Sequence, residues 1–241
     1  MAGAGKKTAA RRKAPRPPRK PTRAHLLIIE CQSQKLARQG LHLGTGFAQV
    51  VRDWLPGKKV AIVQTSTEKQ MGEDLAKAFD KHGRFRSVLI VGHSDAELLD
   101  MTSDGPRQWG IVGKWIKIFE PEFLFLAACE AGQSEAVRNV FEAAGQSLRQ
   151  IYASPVPLHK IHTAPMGVLI LMLLTQGRID PDQSRALRTV QYILHGGQLY
   201  RWRRNESGPG EELKGKLWDA VGKSLYFGEW DLLKKLFPGL K

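Results

Sequence analysis

A cysteine and a histidine each stand at the end of an apolar run of this chain. Cys129 closes the run in LFLAACEAGQ, residues 124–133. In RSVLIVGHS, residues 86–94, a single glycine separates the run VLIV from His93. A thiol beside an imidazole is a pair that nucleophilic catalysis uses, because the imidazole takes the thiol proton and later protonates a leaving amine. Two interpretations of Cys129 follow, a nucleophile at a strand end or an inert cysteine of the core.

Small residues surround both side chains. Gly92 and Ser94 flank His93, and Gly132 follows Cys129 by three positions. Glycine allows another backbone to approach closely, and backbone N–H groups beside Cys129 would stabilise an oxyanion. We predict that Cys129 is the nucleophile and that His93 is the general acid and base. The turns and oxyanion contacts around them are assigned to Gly92, Ser94 and Gly132.

The elements that must position these residues follow from the apolar pattern. Strands are predicted over 25–31, 58–66, 86–94, 122–131 and 149–154. Helices are predicted over 45–55, 67–83 with a capping box of Thr67 and Gln70, 109–119, from a cap at Ser134 to about 144, and 165–176. This alternation is typical of right-handed βαβ units, so the fold class is α/β, a mostly parallel doubly wound sheet with helices on both faces. Sites in such sheets form at the carboxyl ends of strands, where both His93 and Cys129 fall.

With this order of elements, the motifs VGHS and AACEAG resemble those of the caspase-like cysteine peptidases, and most closely those of the CHAT subgroup. The signature of that subgroup is a small residue followed by Ala-Cys-Glu-Thr-Gly, and residues 127–132 match it with alanine in place of threonine. The resemblance covers about residues 25–177. It implies a caspase-hemoglobinase fold and cleavage of a protein or peptide substrate by a His93/Cys129 dyad. The family usually has glycine after the histidine, where this chain has Ser94.

The resemblance also implies where a substrate pocket would be built. Glu30 and Cys31 close the first strand, which in this fold lies beside the third. Glu30 is a candidate for a specificity pocket that prefers a basic residue, although a solvated acid at the strand end is the interpretation that we favour. His159, in PLHKIHTAP, follows the fifth strand on the same rim and is a candidate substrate contact. Cys31 is interpreted as a bystander.

The positive charge of the chain is concentrated at one end. The formal charge is +14, and residues 1–23 hold nine Lys and Arg and no acidic residue, so the rest carries +5. This segment also contains four prolines and few apolar residues, which predicts a disordered basic tail. Such a tail either contacts nucleic acid or an acidic surface without sequence preference, or is a solubilising arm.

Composition argues against several classes of protein. Two cysteines cannot build a disulfide framework, and no Cys/His cluster has the spacing of a zinc site, which indicates a cytoplasmic protein without a metal. LGTGFA, residues 43–48, lacks the third glycine of a dinucleotide loop, so no cofactor is predicted. The longest apolar run, residues 166–174, is too short to span a bilayer. We interpret it as a buried core helix and expect no membrane span.

The chain is thus divided into the tail, a caspase-like α/β domain over 24–177 and a helical extension over 178–241. Within the extension, YRWRR at 200–204 interleaves aromatic and basic residues as single-strand binders do, but a helix end with a solvated basic face is the favoured interpretation. The leading hypothesis is a caspase-like cysteine endopeptidase. The alternatives are a catalytically inactive caspase-like adaptor and a nucleic-acid-associated protein that uses its basic tail.

Overall fold

The computed structural model describes residues 24–31, 42–65, 67–100, 104–155, 163–178 and 200–204. The predicted tail over 1–23, His159 and most of the predicted extension over 178–241 lie outside these residues.

Strands and helices alternate along the described chain, as the apolar pattern predicts. The strands are β1 (Ala24–Cys31), β2 (Val60–Thr65), β3 (Phe85–Val91), β4 (Leu98–Leu99), β5 (Arg107–Gln108), β6 (Phe123–Ala127), β7 (Gln150–Ala153) and β8 (Tyr200–Arg203). The helices are α1 (Leu43–Trp54), α2 (Glu68–His82), α3 (Gly110–Lys117), α4 (Ser134–Ala144) and α5 (Thr163–Gln176).

Six of these strands form one sheet within the described residues, in the order β2-β1-β3-β6-β7-β8. The pairs from β2 to β7 are parallel, and the β7–β8 pair is antiparallel. The prediction of an α/β fold with a mostly parallel sheet is confirmed, and β1 lies beside β3. The sequence did not predict the short antiparallel pair of β4 and β5.

Helices cover both faces of the sheet, which is consistent with a doubly wound arrangement. One face packs against α2, α3 and α4, and the other packs against α1 and α5. The central strands β1 and β3 are buried along almost their whole length. Their continuous apolar sequences follow from this, because a strand covered on both faces has no side that can be polar.

Of the two predicted helix caps, one is confirmed and one is wrong. The Thr67 hydroxyl accepts a hydrogen bond from the Gln70 N–H at 3.2 Å, so the predicted cap of α2 is confirmed. The predicted cap at Ser134 is wrong: Gln133 occupies the N-cap of α4 and makes no side-chain capping bond. The Gln133 carbonyl already accepts from the Val137 N–H at 3.0 Å, so the helix begins one residue earlier than a Ser134 cap requires.

The interpretation of residues 200–204 as a helix end with a solvated basic face is wrong. Residues 200–203 are β8, which pairs with β7 in the register Ile151↔Trp202 and Tyr152↔Arg201. Arg201 and Trp202 are each only 6% exposed. These two side chains are therefore not presented to solvent as a single-strand nucleic acid platform requires, and the sheet extends beyond residue 177.

The apolar helix α5 is only partly a core helix. Five of its residues are buried against β6 and its neighbours: Met166, Leu169, Ile170, Leu173 and Leu174. Val168 is 40% exposed, and Leu171 and Met172 are half-buried. Across the described part of the chain, no helix combines the length and the apolar character needed to span a bilayer.

Candidate active site

The register of the sheet brings His93 and Cys129 to corresponding positions. β3 and β6 are adjacent and parallel, and their last paired residues are Val91 and Ala127. The Gly92 N–H extends this ladder by donating to the Ala127 carbonyl at 3.3 Å. Since His93 and Cys129 each lie two residues beyond the last pair, parallel pairing places them on the same rim of the sheet.

Both strands end earlier than the sequence pattern predicts. The predicted strands run to 94 and 131, whereas β3 ends at Val91 and β6 at Ala127. His93 and Cys129 therefore lie in the turns that follow the strands. Loops held by a rigid scaffold in this way commonly carry catalytic groups.

Backbone hydrogen bonds close the turn that carries His93. The Asp100 N–H donates to the His93 carbonyl at 2.8 Å, and the Asp95 N–H donates to the Leu98 carbonyl at 3.0 Å. These two bonds enclose an antiparallel bridge between Ser94 and Leu99. The Asp95 carboxylate accepts from the N–H groups of residues 97 and 98 at 2.8 and 2.7 Å. Asp95 thus closes its own turn, and the bonds on its carboxylate fix the backbone next to His93.

The turn that carries Cys129 is held by an unusual backbone conformation and by β7. Glu130 has φ = 54°, a left-handed conformation that reverses the chain directly after Cys129. The Gly132 N–H donates to the Ser154 carbonyl at 2.7 Å. A Cβ at position 132 would stand 2.6 Å from the Ser154 carbonyl carbon, so this approach requires glycine. The turn is therefore anchored to the carboxyl end of β7.

A side-chain bond joins the two turns. The Ser94 hydroxyl donates a hydrogen bond to the Cys129 carbonyl. Ser94 thereby links the backbone beside His93 to the backbone of Cys129.

Two backbone N–H groups near His93 and Cys129 already donate hydrogen bonds. The N–H groups of Gly92 and Gly132, which the sequence assigns to turns and oxyanion contacts, both donate to backbone carbonyls in this conformation. Both glycines lie at close approaches, since a Cβ at position 92 would be 3.1 Å from the Cys31 Cβ. In the Ser94–Leu99 bridge the two residues form the non-hydrogen-bonded pair, so the Ser94 N–H points away from Leu99.

The two cysteines have opposite environments. Cys129 is half-buried and His93 is exposed. Cys31 is 1% exposed in the core. Burial, with smaller contributions from the charges of Glu30 and Asp100, raises the pKa of the Cys31 thiol to about 12.

Glu30 is not the solvated strand-end acid that the sequence favours. It is 3% exposed and lies under the first turn of α1. Its carboxylate accepts from the Gly44 N–H at 3.3 Å, from the Gln64 amide at 2.8 Å and from the Thr45 hydroxyl at 3.5 Å. Because an α-helix N-terminus carries unpaired N–H groups and partial positive charge, a buried carboxylate is stable there. Glu30 thus fastens α1 to β1, and its proposed contact with substrate stays a prediction.

Sequence reasoning missed an apolar cleft that opens at the same rim. It lies between α1 and α5, has a volume of about 510 Å³, and has Val91 and Ala127 in its lining. No motif signals it, because its walls come from two helices that are far apart in sequence.

Neither a comparison with protein-family models nor a comparison with curated proteins finds a match for this chain.

Proposed function

We propose that this protein is a caspase-like cysteine peptidase that cleaves a protein or peptide substrate with Cys129 and His93. The observation that carries the proposal is the register of β3 and β6, which sets both residues two positions beyond the last pair of adjacent parallel strands. The resemblance of VGHS and AACEAG to the motifs of that family also supports the proposal. The exposure of His93 supports it as well, because a substrate can approach an exposed side chain.

The proposed reaction has two halves. His93 takes the proton of the Cys129 thiol as the sulfur attacks the scissile carbonyl carbon, and the carbonyl becomes a tetrahedral oxyanion. His93 then gives the proton to the leaving amine, and the C–N bond breaks to leave a thioester on Cys129. In the second half, His93 removes a proton from water, which attacks the thioester. The carboxylic product leaves and the thiol regains its proton.

The oxyanion donors are proposed to be two backbone N–H groups at the carboxyl ends of β3 and β6. The Ser94 N–H is one, since it points away from the bridge partner Leu99. The Cys129 N–H is the second, because the oxyanion forms on the carbon that its own side chain attacks. The Ser94 hydroxyl bond to the Cys129 carbonyl would hold the two donors in a constant relation.

The test compares three variants of the full chain. Cys129→Ala removes the nucleophile, His93→Ala removes the base, and Cys31→Ala is the matched control, because it removes a thiol that is buried in the core. Cleavage of a randomised peptide library is followed by mass spectrometry, and thiol modification by a peptidyl chloromethyl ketone is followed by intact mass.

We expect the unmodified chain and Cys31→Ala to cleave and to gain one adduct. Cys129→Ala should do neither, and His93→Ala should cleave about 10²- to 10⁴-fold more slowly. A folded protein that neither cleaves nor reacts at Cys129, or a Cys129→Ala variant that cleaves as well as the unmodified chain, would overturn the proposal.

A further inference from the structure

The cleft between α1 and α5 has an apolar floor and walls that are apolar apart from His42. Its floor is formed by Leu89, Val91 and Ala127 at the carboxyl ends of β3 and β6. The wall residues of α1 and α5 include Leu43, Phe47, Val50, Met166, Val168 and Leu171. A volume of about 510 Å³ is within the range of sites that hold small ligands and side chains.

The helices expose apolar side chains along this cleft. Leu43 and Val50 are each 38% exposed and Val168 is 40% exposed, and all three line it. A helix that is apolar all round, as α5 is, is normally buried all round. Here Val168 and Leu171, which are not fully buried, line the cleft, so α5 exposes apolar surface there.

The cleft reaches the rim that carries the dyad. Val91 and Ala127 lie two residues before His93 and Cys129, and two residues of extended chain span at most about 7 Å. Ala127 packs with the α1–α5 side of the sheet, whereas Ala128 packs with the opposite side. The alternation of faces thus persists to Ala128, the residue directly before Cys129.

We propose that the α1–α5 cleft receives an apolar side chain, such as Leu, Met or Phe, of the peptide that Cys129 cleaves. The inference rests on the proposed peptidase function, and it names the part of the substrate that is recognised. An open apolar cleft binds an apolar side chain by removing both surfaces from water, and it discriminates against charged side chains because these would lose their hydration.

Two glycines make a matched pair of variants. Gly46 in α1 lines the cleft, and a Cβ there would meet nothing within 4 Å. The Cβ of Gly46→Leu therefore meets no neighbour, and we expect the leucine side chain to occupy part of the cleft. Gly72 is an exposed glycine within α2, on the other face of the sheet, and a Cβ there would also meet nothing within 4 Å. Gly72→Leu gives the same gain in helix propensity and adds the same side chain, but at a position away from the cleft.

Binding and cleavage are measured separately. A library of acetylated, amidated hexapeptides is incubated with the Cys129→Ala chain, and the retained peptides are identified by mass spectrometry. We expect Leu, Met or Phe to be enriched about tenfold at one position. Adding Gly46→Leu should abolish this enrichment, and adding Gly72→Leu should leave it unchanged. The same library is then given to chains with Cys129 intact.

The two proposals fail in different ways. Apolar enrichment that Gly46→Leu abolishes, without cleavage by the intact chain, supports the cleft and overturns the peptidase. Cleavage without an apolar preference, or cleavage that Gly46→Leu leaves unchanged, overturns the cleft and supports the peptidase. A dimer in sedimentation equilibrium that Gly46→Leu converts to a monomer shows that a second copy occupies the cleft, and it overturns the inference.

Discussion

At the scale of single residues, the two thiols of Cys31 and Cys129 differ in burial. Cys31 ends β1 with its side chain among the core residues, whereas Cys129 lies past the end of β6 in a turn. That turn depends on Glu130 in a left-handed conformation, which costs a non-glycine residue about 1–3 kcal/mol. The anchors on either side, Ser94 and Gly132, offset this cost and keep Cys129 out of the core.

Thiol labelling under native conditions should separate the two cysteines. Because the pKa of Cys31 is raised to about 12, its thiolate fraction at pH 8 is negligible, and burial also blocks access. We expect iodoacetamide at pH 8 to add one carbamidomethyl group to the native chain, located at Cys129 by peptide mapping.

The Cys129→Ala variant is the control, and it should gain no label until denaturant is added. Labelling of Cys31 at the same rate as Cys129 in the folded chain would contradict this account of the core.

At the scale of elements, the turn of Cys129 leads into α4, and α4 is positioned by its contact with α3. Gly113 lies in the middle of this contact. A Cβ at position 113 would stand 2.6 Å from the Val140 carbonyl oxygen and 2.7 Å from the Ala143 Cβ. The two helix backbones therefore approach more closely than any residue other than glycine permits, and a shift of α3 would be passed on to α4 and the rim.

Gly113→Ala should lower the free energy of unfolding by about 1–3 kcal/mol, because the added methyl group forces the two helices apart. Urea denaturation followed by circular dichroism measures the change in midpoint at constant slope.

Gly110→Ala is the matched change in the same helix. A Cβ at position 110 has the Asn139 carbonyl oxygen at 3.9 Å as its nearest neighbour, which is an ordinary contact. It should be neutral or slightly stabilising. Equal losses from Gly110→Ala and Gly113→Ala would show that close packing of α3 on α4 is not the cause.

At the scale of the whole molecule, β8 joins the sheet to a segment far along the chain. Arg204, which follows it, donates through Nε to the Leu148 carbonyl at 2.9 Å and through Nη2 to the Phe141 carbonyl at 2.7 Å and to the Gly145 carbonyl. Its guanidinium carbon lies 5.1 Å from the centre of the Phe141 ring. A cation at the carbonyl end of α4 satisfies groups that the helix leaves unpaired.

Arg204→Met should lower the free energy of unfolding by about 2 kcal/mol, since it keeps much of the side-chain volume but removes hydrogen bonds from a charged donor. The midpoint of urea unfolding measures the loss.

Arg138→Met, an exposed change on α4, is the control and should alter stability by less than about 0.5 kcal/mol. If the two variants unfold at the same midpoint, Arg204 does not hold β8 to α4.

The predictable features are those that depend on local pattern. The five parallel strands and the helices between them follow from the spacing of apolar residues, and the Thr67 cap follows from residue type. The unpredicted features depend on distant partners. β8 is a four-residue strand rich in arginine, and it is a strand because β7 offers an open edge. The burial of Glu30 depends on α1 lying over β1, which no spacing within the β1 sequence reveals.

The sequence by itself determined the order of strands and helices, because apolar periodicity is a local property of the chain. It also directed attention to the carboxyl ends of the third and fourth predicted strands, where His93 and Cys129 stand. Only the tertiary structure decided that β3 and β6 are neighbours with matching ends, that Ser94 reaches the Cys129 carbonyl, and that an apolar cleft opens beside them. These features depend on contacts between segments far apart in sequence, and such contacts are set by how the whole sheet packs.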